Sequence, residues 1–362
     1  MTIAVFHNLP PGGAKRTVYE QVKHLSQKHE LHLFQLSGTS EDFLPLYPFV
    51  KSTKTYPFAL SPHRLLADYQ KFFVLPQIHR RMAQDTEGAD VALIHADLYT
   101  QAPHILRYLK IPRLYFCQEM LRIAYEPELA FTDPVPLPKK YYENLTRRIR
   151  KSVDRTNAQS ASMIFTNSGF TGAKVQKEFN RPAITCHLGV DPRVFYPQDL
   201  PKKNQVLFID QKDKFSGYDF VLRVLNLISP PNRPKLEILS FFQGAPAVSP
   251  QNMAKYYSGS LATLCTSYNE PFGLAPVESM ACGTPVLAVD EGGYKETVIN
   301  NKTGWLLPRN PKEFAARLTQ LIKYPELINK MGENGRKHVI KNFTWAKHNS
   351  IVESALCRLV SP

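Results

Sequence analysis

The chain has 362 residues, 43% hydrophobic and 21% charged, a globular composition with more length than one domain commonly takes, so two domains are expected. No run approaches the roughly 18 apolar residues of a membrane-spanning helix, a strand-length run near the start argues against a cleavable leader, and five scattered cysteines without Cys-x-x-Cys fit a reduced, cytoplasmic setting without a metal site. A net charge of +14 asks for an anionic partner: nucleic acid, lipid headgroups or phosphorylated substrates.

Ile3-Ala4-Val5-Phe6 reads as the first strand, followed by a loop ending in Gly12-Gly13. From Ala14 onward Val18, Val22 and Leu25 mark the packed face of a helix, and residues 31–36 the next strand. A Gly-Gly turn before a helix lets backbone N–H groups approach an anion, and equally serves as a plain strand–helix turn. Residues 62–82 mix Leu65, Tyr69, Phe72 and Phe73 with Arg64, Lys71, Arg80 and Arg81, and Pro76 is expected to interrupt any helix. Such a stretch suits an anionic membrane surface, or packs its aromatics on the N-terminal sheet.

Two further strands are expected at residues 90–96 and 113–117, the second leaving into Gln118 and Glu119. Between Lys139 and Arg155 a basic run is interrupted by Leu145, Ile149 and Val153, a spacing of four that predicts a solvated helix with one packed stripe. Residues 162–166 read as the last strand of the first domain, with Ser168 capping the helix after it. Residues 205–209 and 235–239 open the second domain as strands, and Asp210-Gln211-Lys212-Asp213-Lys214-Phe215-Ser216-Gly217 is the exit loop of the first.

The most informative stretch lies at residues 261–289. A buried strand at 261–265 leads to Asn269-Glu270-Pro271-Phe272-Gly273-Leu274, a short helix over 275–281, the stop Gly283-Thr284-Pro285, and a strand at 286–289. One carboxylate, Glu270, falls in the loop and a second, Glu278, on the helix. In open α/β sheets ligands gather beyond the carboxyl ends of strands, where helix N-termini offer free N–H groups to phosphate and carboxylates accept from sugar hydroxyls. Helices at 311–321 and 325–342 and a final helix complete the chain.

Glu-x7-Glu carrying Pro-Phe-Gly-Leu, then Glu-Ser-Met-Ala-Cys-Gly-Thr-Pro-Val, Glu291-Gly292-Gly293-Tyr294 and Asn301-Lys302-Thr303-Gly304-Trp305, resembles the donor-site signature of family-four retaining glycosyltransferases. The resemblance implies the α/β GT-B fold: two doubly wound Rossmann-like domains facing across a cleft. It puts an acceptor-side domain at residues 1–195, a donor domain at 196–345, and a C-terminal helix at 346–362 returning to the first. It further implies that Glu270 contacts the donor sugar, that Asn269, Phe272, Gly273 and Leu274 line the donor site, and that Glu278 binds the ribose. Gly12 and Gly13 would face the donor phosphates.

Two departures from the family stand out. Where many relatives have a histidine touching the donor sugar, this chain has Gln118 beside Glu119; glutamine positions a hydroxyl but shuttles no proton. Where the family holds the diphosphate with Arg and Lys, the aligned residues are Gln211 and Ser216, with Lys212 and Lys214 as candidate substitutes.

With no Asp-x-Asp, P-loop, His-Glu-x-x-His or Gly-x-Ser-x-Gly, the expectation is a metal-independent transferase without cofactor. It would move a hexose-type sugar from a UDP- or GDP-sugar to a carbohydrate or lipid-linked hydroxyl acceptor. The setting expected is cytoplasmic, with peripheral contact on the inner face of an anionic membrane. A GT-B-shaped accessory protein that binds nucleotide-sugar without turnover is the alternative. Nucleic-acid binding rests on charge alone, since no helix-turn-helix, zinc-finger or RNP-like pattern supports it.

Overall fold

The computed structural model describes residues 1–126, 136–209, 215–239 and 248–361. It divides into two compact units: unit 1 is Met1–Cys186 with Asn349–Pro362, and unit 2 is His187–His348. The first division falls somewhat before the boundary set at residue 195 from the sequence.

Unit 1 contains the strands β1 (Thr2–Asn8), β2 (Glu30–Leu36), β3 (Ser52–Tyr56), β4 (Val91–Asp97), β5 (Arg113–Cys117), β6 (Met163–Thr166) and β7 (Ile184–Thr185). They form one parallel sheet in the order β3-β2-β1-β4-β5-β6-β7. Its helices are α1 (Gly13–Leu25), α2 (Arg64–Tyr69), α3 (Leu75–Gln84), α4 (Arg122–Tyr125), α5 (Leu137–Gln159) and α6 (Gly169–Phe179). The central strands are apolar at successive positions because both sheet faces are covered. Ile3 pairs with Val91 and Val5 with Leu93, all fully buried. Each such side chain contributes roughly 1.5–3 kcal/mol by leaving water.

Several sequence expectations meet the structure here. Val18, Val22 and Leu25 of α1 are buried as their spacing requires. Ser168 caps α6 by accepting from Thr171 N at 3.0 Å. Strand β3 had no signal, because an exposed edge strand of Ser, Thr and Lys lacks an apolar period. Pro76 does not break the chain's helical path: a π turn over Gln70–Val74 joins α2 to α3, and Pro76 sits in the first turn of α3, where a missing N–H costs little.

Helix α5 corrects the reading of a packed stripe at residues 145–153. Leu145 and Ile149 are 49% and 39% exposed, whereas Glu143, Thr146, Asp154 and Asn157 are buried. Backbone at Ala102 meets part of the buried polar side. Asp154 Oδ1 accepts from Ala102 N at 3.1 Å, and Asn157 Nδ2 donates to Ala102 O at 2.7 Å. A period of four identifies a face but not which way it points.

Unit 2 contains β8 (Gln205–Ile209), β9 (Lys235–Leu239), β10 (Ala262–Cys265), β11 (Val286–Val289) and β12 (Gly304–Leu307), again parallel, in the order β12-β11-β10-β8-β9. Its helices are α7 (Tyr218–Asn226), α8 (Pro250–Ser258), α9 (Leu274–Ala281), α10 (Tyr294–Thr297), α11 (Pro311–Lys323) and α12 (Pro325–Asn342), and α13 (Trp345–Val360) carries the chain back into unit 1. The segments entering and leaving unit 2 are zipped together: Val190 N donates to Phe343 O at 3.0 Å and Trp345 N to Val190 O at 3.2 Å.

Each sheet has one place where neighbouring strands send their connections in opposite directions. In unit 1 it lies between β1 and β4, and in unit 2 between β8 and β10. Such switch points leave a crevice beyond the strand ends. Among the described residues no helix is long and apolar enough to cross a membrane.

Candidate active site

The segment from Thr266 to Gly273 leaves β10 at the switch point of unit 2 and leads into α9. Asn269 adopts a left-handed φ of 47°, which turns the chain sharply at Glu270. A second loop holds that turn from behind: Gly293 N donates to Glu270 O at 2.7 Å. Gly292 has φ 57°, and a Cβ there would fall 2.5 Å from Glu270 O. Only glycine fits so close to the turn, which is why the two loops lock together. Phe272 is buried under the ring of His187, stacked at 5.8 Å, and His187 Nε2 donates to Glu296 at 2.9 Å.

Gly273 caps α9 with no side-chain cap hydrogen bond, so the N-cap supplies no acceptor to the first N–H groups of the helix, among them that of Leu274. Glu278 lies one turn further in and is 3% exposed. Its Oε2 accepts from the Tyr257 hydroxyl of α8 at 2.8 Å. Burial and the neighbouring carboxylate push the Tyr257 hydroxyl well above its ordinary value, so it remains a donor. Thr284 Oγ1 donates to Tyr257 O at 2.7 Å, and Lys202 Nζ donates to Thr284 Oγ1 at 2.7 Å.

The loop after β8 reaches the same switch point. Of it, Gln211, Lys212 and Lys214 lie outside the described residues. Ser216 is buried, its Oγ accepting from Tyr218 N at 3.3 Å and its carbonyl from Thr266 Oγ1 at 2.9 Å. A cation not anticipated from the sequence stands beside this corner. Arg309 donates to Glu291 through two nitrogens at 2.9 and 2.6 Å, donates to Thr266 O at 2.7 Å, and lies 3.6 Å from the ring centre of Tyr268. Neither Arg309 nor Tyr257 has a local sequence signal, because their partners arrive from other strands and helices.

In unit 1 the Gly12-Gly13 loop occupies the switch point beyond β1 and β4. Gly13 is exposed, and the position where a Gly12 Cβ would lie has no atom within 4 Å. A buried network supports the loop. Asn8 Nδ2 donates to Asp97 at 2.8 Å, and Tyr99 N and Thr100 Oγ1 also donate to that carboxylate. Burial nevertheless pushes Asp97 up to about 6. On the buried face of α1, the fully buried Lys15 pairs with Glu41 and lies 3.1 Å from His7 Nε2; burial brings the His7 imidazole down to about 4.

Gln118 is 5% exposed and its Nε2 donates to Ala14 O at 3.2 Å, tying β5 to the first residues of α1. Glu119 beside it is exposed and lies 3.6 Å from Arg122. The structure thus groups Asn269, Glu270, Phe272, Gly273, Leu274 and Glu278 in unit 2, and Gly12, Gly13, Gln118 and Glu119 in unit 1.

Residues 11–194, just over half of the chain, match the family described as Glycosyltransferase Family 4, and residues 235–338 match Glycosyl transferases group 1. A D-inositol 3-phosphate glycosyltransferase of Streptomyces bingchenggensis is 33% identical over 114 residues, covering 31% of this chain and 25% of that protein. An alpha-1,3/1,6-mannosyltransferase of Dictyostelium discoideum is 28% identical over 219 residues, 59% of this chain and 44% of that one. The chain therefore spans a quarter to less than half of the length of these relatives.

Among solved structures, sucrose-phosphate synthase from Thermosynechococcus elongatus superposes with a TM-score of 0.75 at 18% identity over 99% of both chains. The Anabaena protein HepE, solved in complex with UDP-glucose, gives 0.73 at 15% identity over 99% of this chain and 100% of that one. At these identities the likeness establishes the fold, which is GT-B.

Proposed function

Because the chain belongs to glycosyltransferase family 4, we propose that it transfers a hexose-type sugar from a nucleotide-diphosphate donor to a hydroxyl acceptor. In this reading the bond from the anomeric carbon to the diphosphate breaks, and the acceptor oxygen bonds to that carbon with retention of configuration. The proton of the acceptor hydroxyl leaves with the nucleoside diphosphate. No metal ion takes part: helix N–H groups and cations at the unit 2 switch point stabilise the departing diphosphate, as donors do in an oxyanion site.

The observation that carries the proposal is the locked turn at Glu270 directly before the uncapped start of α9. Glu270 would contact the donor sugar. The backbone N–H groups of Phe272, Gly273 and Leu274 would meet sugar and phosphate, with Asn269 shaping the turn. Glu278, held by Tyr257, would take the ribose hydroxyls. Lys212 and Lys214 are proposed to neutralise the diphosphate. In unit 1, Gly12 and Gly13 would offer N–H groups to the phosphates, while Gln118 and Glu119 position sugar and acceptor. HepE bound to UDP and UDP-glucose supports a nucleotide-sugar donor, UDP- or GDP-linked, and the acceptor proposed is a glycan or glycolipid at the inner face of a membrane.

Glu270→Gln keeps the shape of the turn and removes its charge. Transfer from a UDP- or GDP-sugar should fall on the order of 10²–10³-fold while the thermal midpoint stays at the wild-type value. Undiminished turnover would remove Glu270 from the reaction. One observation favours a second reading, a nucleotide-sugar-binding protein without turnover. Ser216 stands buried where the family places a cation, its hydroxyl engaged by Tyr218 N. Donor binding in calorimetry, together with neither transfer nor hydrolysis across UDP-, GDP- and ADP-sugars, would favour that reading.

A further inference from the structure

Helices α2 and α5 of unit 1 are turned inside out. On α5, Leu137, Tyr141, Leu145 and Ile149 recur every fourth residue and are 81%, 76%, 49% and 39% exposed. The α2 segment and the π turn after it repeat the pattern: Leu65, Tyr69 and Phe73 are 72%, 55% and 63% exposed, and Asp68 is the buried residue between them. Tyr69 and Phe73 stack on one another at 5.3 Å, so the exposed apolar surface is continuous there.

The two elements meet through polar groups. Arg64 pairs with Glu143 and lies 4.8 Å from the ring centre of Tyr142. The Tyr142 hydroxyl donates to Asp68 at 2.6 Å, and Arg150 donates to the other oxygen of Asp68 at 3.2 Å. Helices that pack in water ordinarily bury the apolar face and leave the polar one outside. Here those polar groups pair with each other, and large apolar side chains of both elements are left in solvent.

Charge selects what covers them. The acids of α2 and α5, Asp68, Glu143 and Asp154, are all buried, while Lys139, Lys140, Arg148 and Arg155 are exposed. A second copy of this chain would bring those cations against their own kind. An anionic bilayer satisfies both halves of the surface: apolar side chains enter the boundary between headgroups and acyl chains, and cations pair with lipid phosphates. We propose that the joined outer faces of α2 and α5 are a docking surface for an anionic membrane. The surface extends beyond residues 62–82 and belongs to unit 1, whereas the donor turn belongs to unit 2. It rests on no assumption about sugar transfer, so its failure and that of the transfer reaction are separately visible.

The test is co-sedimentation of the full chain with vesicles of phosphatidylcholine, alone or mixed with phosphatidylglycerol, without any nucleotide-sugar. Binding is expected to the mixed vesicles, to weaken with salt, and to be slight with phosphatidylcholine alone. Two variants divide the surface into its parts: Leu137→Ser with Tyr141→Ser and Leu145→Ser, and Lys139→Glu with Lys140→Glu and Arg148→Glu. Both alter exposed side chains and should keep the wild-type thermal midpoint. The charge variant should bind the mixed vesicles at least about fivefold less per cation removed, and the apolar variant about tenfold less or weaker. Three results overturn the proposal: no binding by the wild type, wild-type binding by both variants, or a dimer in sedimentation velocity that the apolar variant dissolves.

Discussion

Glu278, the second of the two motif carboxylates, is held by a side chain distant in sequence. A glutamate on a short helix has several rotamers, and holding one costs up to about 2 kcal/mol of side-chain entropy. The Tyr257 hydroxyl at 2.8 Å from Oε2 offsets that cost before any ligand arrives. Tyr257 itself is anchored: its ring is fully buried and packs edge-on against Phe195, and its carbonyl accepts from Thr284 Oγ1. If Glu278 holds the ribose, Tyr257 is a positioning residue for it. Tyr257→Phe retains the ring and removes one donor to a charged acceptor, a loss of about 1.5–3 kcal/mol. The expected result is a donor KM raised roughly ten- to hundredfold with kcat nearly unchanged, because the ribose is remote from the bond that breaks. An unchanged KM, or a fall in kcat alone, would take Tyr257 out of that role.

At the level of elements, the last helix shows how local charge fixes a long-range return. Glu353 of α13 reaches back to the end of α1, where His24 lies at 2.8 Å, His29 at 3.2 Å and Lys28 at 3.2 Å. Burial raises the Glu353 carboxyl, but the hydrogen bonds from His24, Lys28 and His29 outweigh it and hold it down at about 2. A depressed carboxylate stabilises the folded state fully above its ordinary value of 4.5 and loses that contribution as pH falls towards about 2. Glu353→Gln should therefore lower the thermal midpoint at pH 7, and its gap from wild type should close between pH 4.5 and 2. A constant gap across that range would mean that packing, not charge, holds the helix. The same scale separates what sequence reveals from what it hides. Strand β10, the Glu270 turn and α9 were readable because their signals are local: an apolar run, a Phe-Gly-Leu turn, a Gly-Thr-Pro stop. The burial of α1 was readable because Val18, Val22 and Leu25 fall on one face. Strand β3 has no such pattern, and α5 carries a pattern whose direction is set by partners on α2 and at Ala102. Tyr257 and Arg309 belong to the site through tertiary contacts alone, which no spacing records.

For the whole molecule, the division into two sheets gives a sharp expectation about where a donor is felt. Three separate stretches of unit 2 converge on the β8–β10 switch point. Thr266 Oγ1 binds Ser216 O at 2.9 Å, Tyr268 N binds Phe215 O at 2.8 Å, and Gly293 N binds Glu270 O at 2.7 Å. A nucleotide-sugar held there stabilises all three at once, because each is hydrogen-bonded to the next. At a hundredfold excess over Kd the gain is about 2.7 kcal/mol, which slows amide exchange wherever opening requires losing the ligand. Hydrogen exchange with a UDP- or GDP-sugar should therefore slow at residues 215–218, 266–281 and 291–297 together. The β9 edge and the outer strands of unit 1 should be unaffected. Protection confined to residues 8–16 would instead place the nucleotide at the Gly12-Gly13 loop, and unchanged exchange with every donor tried would end the nucleotide-sugar reading. The coupled response is the discriminating feature: a ligand touching only the helix start would protect α9 alone, whereas one held at the switch point must protect the loops that support it.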